Sequence, residues 1–124
     1  MGKLDINDKD YKEFKDNPNE EPVVMLNLLK FKDDGGEEAY ARYAAVVTKM
    51  ITDLGGRIIF AGQTHELLTG EDRWDSVLLV EYPSRKDFLN MIRSEEYKRA
   101  HVHRQEALER AVLYATQGMD LRKI

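Results

Sequence analysis

The residues best suited to chemistry in this sequence are few, and three of them share a spacing. Tyr97, His101 and Arg104 fall at i, i+4 and i+7, which sets all three on one face of a helix. A histidine titrates near neutral pH and can move a proton. An arginine fork can hold a carboxylate through two parallel hydrogen bonds. His101 is therefore a candidate catalytic residue, and Tyr97 and Arg104 are candidate ligand-binding residues beside it. The plainer alternatives are a structural or surface role for His101, and for Arg104 an ion pair with Glu81 or Asp75 of a second copy of the chain.

Asn27 is conspicuous for a different reason. It interrupts an apolar run, VVMLNLL, where a buried amide destabilises unless it is hydrogen-bonded. It could bind a carbonyl or hydroxyl of a ligand, or tie the sheet to a neighbouring loop. Glu81 closes a second apolar run and is the other catalytic candidate: turned toward the inner face of the sheet, it would have its pKa raised by burial and could serve as a base. The competing reading is a salt bridge to an arginine at an edge or dimer contact. Trp74 could wall a pocket or close one end of the sheet. Tyr43 could contribute a hydroxyl to the same pocket, although it and Tyr40 also suit a core whose hydroxyls stay wet.

Other chemistries find no foothold. His101 and His103 are two apart and diverge on a helix, His65 sits near a strand end, and no metal site is expected. A haem held by His101 alone is disfavoured by the neighbouring Arg99 and Arg104. Gly55-Gly56 reads as a helix stop rather than a phosphate loop, and no dinucleotide or Walker pattern is present. Ser76 and Ser84 lack a nucleophile-elbow context. No cofactor is expected.

These residues must be positioned by elements that the pattern also reveals. Asp8 can cap a short helix to about Lys15, with Tyr11 and Phe14 on one face. A strand is expected over Pro22–Lys32, with Val24, Leu26 and Leu28 on one face and Val23, Met25, Asn27, Leu29 and Phe31 on the other. Tyr40, Tyr43, Val47, Ile51 and Leu54 repeat at helical spacing in a helix over Glu37–Leu54, stopped by Gly55-Gly56. Strands over Arg57–Leu68 and Trp74–Tyr82 form a hairpin, with Gly62 marking a bulge or a close approach. Ser84 caps the next helix with Asp87 as its capping-box partner. Ser94 restarts a helix that runs to about Leu108, and Ala111–Thr116 is the last strand. Residues 1–20 read as a helical arm, 21–118 as one domain and 119–124 as a tail.

The order strand, helix, strand, strand, helix, strand predicts an α+β, ferredoxin-like β-α-β-β-α-β fold, with a four-stranded antiparallel sheet and helices on one face. Strands one, three and four are apolar on both faces, whereas helices can cover only one. The other face needs a partner, and a second copy of the chain is the simplest. Homodimerisation is the expectation.

Composition narrows the remaining classes. A chain of 124 residues fits a single domain. The net charge of −4, with acids and bases interspersed, argues against a nucleic-acid partner. No apolar run approaches the roughly 20 residues of a membrane span, so no membrane association is expected. The N-terminal MGKLDINDKD has neither an apolar h-region nor a myristoylation pattern. With no cysteine, disulfides are excluded and a cytoplasmic location is the expectation.

Several of these segments together resemble a known family. PVVMLNLLKFK, Tyr40-x-x-Tyr43 with its Gly55-Gly56 stop, Trp74-Asp75, Glu81-Tyr82-Pro83-Ser84 and Tyr97…His101-x-x-Arg104…Ala107 are similar to the domain-of-unknown-function 1330 family of the dimeric α/β-barrel superfamily. The resemblance runs from about Pro22 to Thr116. It implies two ferredoxin-like protomers packed sheet to sheet. Its wider relatives include cofactor-independent monooxygenases, lactone isomerases, haem-binding enzymes and plain ligand binders, and a shared fold does not choose among them. The expectation drawn is a pocket between sheet and helices for a small, partly apolar organic molecule, with cofactor-free acid–base chemistry. The rivals are a non-catalytic dimeric module and a haem-dependent enzyme.

Overall fold

A computed structural model describes Leu4 and residues 6–123. The apolar run after Pro22 forms β1 (Val23–Phe31). It becomes a central strand, flanked by β3 (Ser76–Tyr82) and β4 (Leu108–Thr116), while β2 (Arg57–Gln63) pairs with β3 at the edge. The order is β2-β3-β1-β4 and every pairing is antiparallel. Helix α2 (Gly36–Asp53) crosses from β1 to β2, and α3 (Arg85–Arg93) with α4 (Glu95–Ala107) crosses from β3 to β4. This is the expected ferredoxin-like α+β architecture.

The register assigns every strand residue to a face. Val23, Met25 and Leu29 are buried with Val80 and Tyr82, their cross-strand neighbours being on the same side. This is the helix side, where Tyr43, Val47 and Ile51 of α2 and Met91 and Ala100 of the α3–α4 arm complete the core. A smaller cluster of Leu29, Ala39, Ala107 and Leu108 closes the other end of the sheet. Asn27 stands on the helix side, in a row with Leu78 and Leu113.

Among the described residues no α-helix covers the opposite side. There Phe60, Leu79, Leu26 and Tyr114 form one cross-strand row through all four strands, with Val77, Leu28 and Val112 in the next. Phe60 is 55% exposed and Tyr114 62% exposed.

Local chemistry explains the joints. The Ser84 hydroxyl accepts from the Asp87 N–H and caps α3 as expected, but the Asp87 carboxylate accepts from that hydroxyl rather than from the Ser84 N–H, so only half of the expected capping box forms. Ser94 accepts from the Tyr97 N–H and starts α4. Gly55 takes the left-handed conformation that stops α2 (φ 92°). Gly56 does something else: a Cβ there would sit 2.7 Å from the Glu81 carbonyl oxygen, so its missing side chain lets the α2–β2 joint press against β3.

Several boundaries differ from the sequence expectation. Asn7, not Asp8, occupies the N-cap of α1 (Asp8–Asp16), without a side-chain capping bond. β2 ends at Gln63, five residues early, because the Thr64 hydroxyl bonds the Trp74 carbonyl and closes a loop over residues 65–73. β3 starts at Ser76, since the Asp75 carboxylate turns to the Phe31 N–H and Lys30. β4 begins at Leu108, immediately after α4, because buried Leu108 pairs with Phe31 across a register shift. The bulge in β2 lies at Ile59, where the register jumps from Ile58 to Phe60. Gly62 instead makes room for the Phe60 ring, which lies over it.

The N-terminal arm packs on α3 through Phe14, edge-on to Phe88 at 5.6 Å. The Arg85 guanidinium lies 4.8 Å from the Phe14 ring centre.

Candidate functional site

The helix spacing of α4 and the apolar stripe of α2 meet in a polar seam. The Tyr43 and Tyr97 hydroxyls are 2.9 Å apart and hydrogen-bonded. Tyr40 lies against Tyr43, with ring centres 5.3 Å apart, and His101 lies 5.7 Å from the Tyr97 ring centre. Burial pushes the Tyr40 hydroxyl up to about 12 and the Tyr43 hydroxyl well above its usual range, while the nearby charge of Arg104 pulls both back. Burial, then the Arg104 charge, lowers the His101 pKa below its ordinary value. At neutral pH its imidazole is therefore uncharged and able to accept a proton.

Asn27 lies on the same side of the sheet. Its Nδ2 is 3.4 Å from both the Met25 and the Leu78 carbonyl oxygens, long for hydrogen bonds. These contacts commit its donor end to backbone, leaving the side-chain oxygen as the group it can present to a ligand. Of the two ligand groups the sequence left open, a carbonyl or a hydroxyl, the geometry favours a hydroxyl or N–H, from which the side-chain oxygen can accept.

Glu81 does not join this group. The register puts it on the helix-free side, and Arg57 Nε reaches its carboxylate at 3.0 Å. The inward orientation that would have made it a buried base is not the one adopted, because the residues at 80 and 82 take the core positions. Trp74 is also elsewhere. It lines an open cleft of about 890 Å³ at the end of the sheet, together with Phe31, Glu37, Thr64, His65 and Asp75. The Arg110 guanidinium lies 4.0 Å from the Trp74 ring centre. Of the sequence candidates, Tyr43, Tyr97, His101 and Arg104 come together with Asn27 on their side of the sheet; Glu81 and Trp74 stand apart.

Sequence reasoning undervalued two features. Tyr40 belongs to the seam, and its position three residues before Tyr43 on the same stripe was the signal. The cleft at the sheet end is assembled from three separate segments, which no local spacing could have revealed. His103, which diverges from His101 on α4, is half-buried with Nδ1 3.9 Å from Glu106. Among the described residues no group of three or more His, Asp or Glu side chains is placed to hold a metal ion. No described helix is long and apolar enough to cross a membrane.

The split β-α-β order, with one sheet face under helices and one bare, defines a ferredoxin-like α+β protein. The chain belongs to the family described as domain of unknown function (DUF1330), which matches residues 25–118. A protein of unknown function from Rhodopseudomonas palustris, RPA0582, is 32% identical with a TM-score of 0.87, covering 97% of this chain and 99% of its own. A dimeric ferredoxin-like protein from Jannaschia sp. CCS1 has a TM-score of 0.63 at 10% identity, covering 78% and 99% of the two chains. A putative antibiotic biosynthesis monooxygenase from Bacteroides thetaiotaomicron has a TM-score of 0.60 at 14% identity, covering 82% and 92%. At these low identities the last two establish the fold alone. No curated protein matches the chain.

Proposed function

We propose that the protein is a homodimer in which each protomer binds a small, partly apolar organic molecule on the helix side of its sheet. The bound molecule lies at the seam between α2 and α4, where His101 moves a proton without a cofactor. The observation that carries this reading is the half-buried His101, kept neutral beside the hydrogen-bonded Tyr43–Tyr97 pair. A neutral imidazole in partly apolar surroundings is matched to proton abstraction near neutral pH. The tyrosine rings supply apolar contact, and the side-chain oxygen of Asn27 supplies a directional acceptor.

The dimer follows from the bare sheet face. Its central apolar row, Phe60–Leu79–Leu26–Tyr114, reaches across all four strands. Such a face costs roughly 25 cal/mol for each Å² left in water. An identical face is the matching occupant, and a protein of similar fold is described as dimeric.

The test is a thermal-shift screen of small organic molecules, since a ligand that binds only the folded state raises the melting temperature. Hits carrying an acidic C–H are then held in deuterated water with the protein. The expected result is deuterium incorporation by the wild type and none by His101→Ala. Binding without exchange in either protein would overturn the acid–base part. Absence of any binder would favour a non-catalytic dimeric module.

A further inference from the structure

Arg104 sets the chemical class of the ligand, an inference that rests on the seam being the binding site. Two carboxylates were its natural structural partners, and both are engaged elsewhere. Glu81 is held by Arg57 at 3.0 Å, and Asp75 by Lys30 at 3.2 Å. Glu81 lies on the bare side of the sheet, so packing two sheets face to face cannot bring it to Arg104 on the helix side. Among the described residues, no carboxylate lies within salt-bridge distance of Arg104, and its guanidinium makes no hydrogen bond to protein. Yet Arg104 is half-buried, and it lies on the α4 face that carries Tyr97 and His101.

A guanidinium partly withdrawn from water and left without an anion is an unbalanced arrangement. Two other half-buried arginines also lack a carboxylate among the described residues, but each lies over an aromatic ring, Arg85 over Phe14 at 4.8 Å and Arg110 over Trp74 at 4.0 Å. The groups that feel the charge of Arg104 are the Tyr40 and Tyr43 phenols and the His101 imidazole, none of them an anion at neutral pH. Three tyrosine rings, Tyr40, Tyr43 and Tyr97, pack against one another in the seam; Tyr43 is buried, whereas Tyr40 and Tyr97 keep part of their flat, apolar surface exposed.

We infer that the ligand is a small carboxylate on a flat, unsaturated or aromatic body, its carboxylate gripped by Arg104 and its body laid against the seam tyrosines. The carboxylate supplies the charge that Arg104 lacks, and the fork geometry favours two parallel hydrogen bonds over a point contact.

Matched pairs of acid and amide test this by calorimetry at fixed ionic strength: benzoate against benzamide, and sorbate against sorbamide. Wild-type protein is expected to bind the acids about tenfold to a hundredfold more tightly than the amides. Arg104→Gln is expected to erase that ratio, and Arg104→Lys to retain part of it. Because the ratio is taken within each variant, a loss of stability does not imitate the effect. Amides that bind the wild type as well as acids would overturn the inference while leaving a small-molecule site in place. An acid preference that survives in Arg104→Gln would overturn it equally. Binding of neither member of either pair would overturn both this inference and the site on which it rests.

Discussion

The hydroxyls of Tyr43 and Tyr97 meet at 2.9 Å and join α2 to α4 across 54 residues of sequence. A neutral hydrogen bond of this kind contributes about 1 kcal/mol net. Tyr43→Phe and Tyr97→Phe are therefore expected to be non-additive, with a coupling energy of about 1 kcal/mol in urea unfolding. Strict additivity of the two substitutions would mean that the hydroxyls do not bond in solution.

The same seam makes a prediction at high pH. Tyr40 is raised to about 12, and Tyr43 and Tyr82 are raised as well, burial being the leading cause in each. A group whose pKa is higher when folded contributes stability that is complete below the free phenol value near 10 and is lost as pH rises through the folded value. Of the six tyrosines, these three are expected to ionise late, together with unfolding, when tyrosinate absorbance and circular dichroism are followed in parallel. A single tyrosinate step near the free value, completed while the protein stays folded, would contradict the burial of all three.

The bare sheet face predicts the assembly. Leu26 pairs with Leu79 on one side and Tyr114 on the other, at the middle of the apolar row. The wild type should sediment at twice the 14.4 kDa chain mass. Leu26→Asp places a charge at the centre of the interface, where desolvation makes it costly, and should sediment as a monomer. A wild type that sediments only as the single chain at micromolar concentration would remove the argument for a dimer.

How far these features were legible follows from their range in sequence. Ser84 with Asp87, Ser94, and Gly55 act within one turn, so their roles could be read from local order. The faces of β1 could be read as well, because strand alternation has a period of two. What could not be read was which long-range pairs would form. Glu81 points away from the helices only because Val80 and Tyr82 fill the core, and Arg57 reaches it only through the β2–β3 register. Of the two places open to Trp74, a pocket wall or the end of the sheet, it took the sheet end, where Asp75 turns to Lys30 and Phe31. Both outcomes depend on pairings more than 20 residues apart, which spacing along the chain does not encode.

His101 predicts behaviour on the acid side. Burial is the larger cause of its lowered pKa and the charge of Arg104 the smaller. Its depressed folded value means that protonation favours the unfolded chain, so this contribution to stability is present above about 6.5 and declines as pH falls below it. NMR titration should give His101 a midpoint below the free value. Arg104→Gln should raise that midpoint only part of the way, since burial remains. A midpoint at or above the free value would remove the neutral imidazole from the proposed chemistry.

Asn27 separates a structural role from a binding role. Its two amide contacts run to carbonyl oxygens at 3.4 Å, each near the limit of a hydrogen bond. Met25 and Leu78 lie in paired strands, where the ladder supplies partners for backbone carbonyls. Removing the amide therefore does not leave them stranded. Leucine is close in volume, and its neighbours Met25, Leu29, Leu78 and Leu113 are apolar. Asn27→Leu is expected to change unfolding free energy by no more than about 1 kcal/mol, in either direction, because two weak bonds are exchanged for apolar burial. Ligand affinity, by contrast, should fall about tenfold with the loss of the acceptor oxygen. Urea unfolding and calorimetry on the same samples read the two effects separately. Unchanged affinity with a large loss of stability would assign Asn27 to the sheet and not to the ligand.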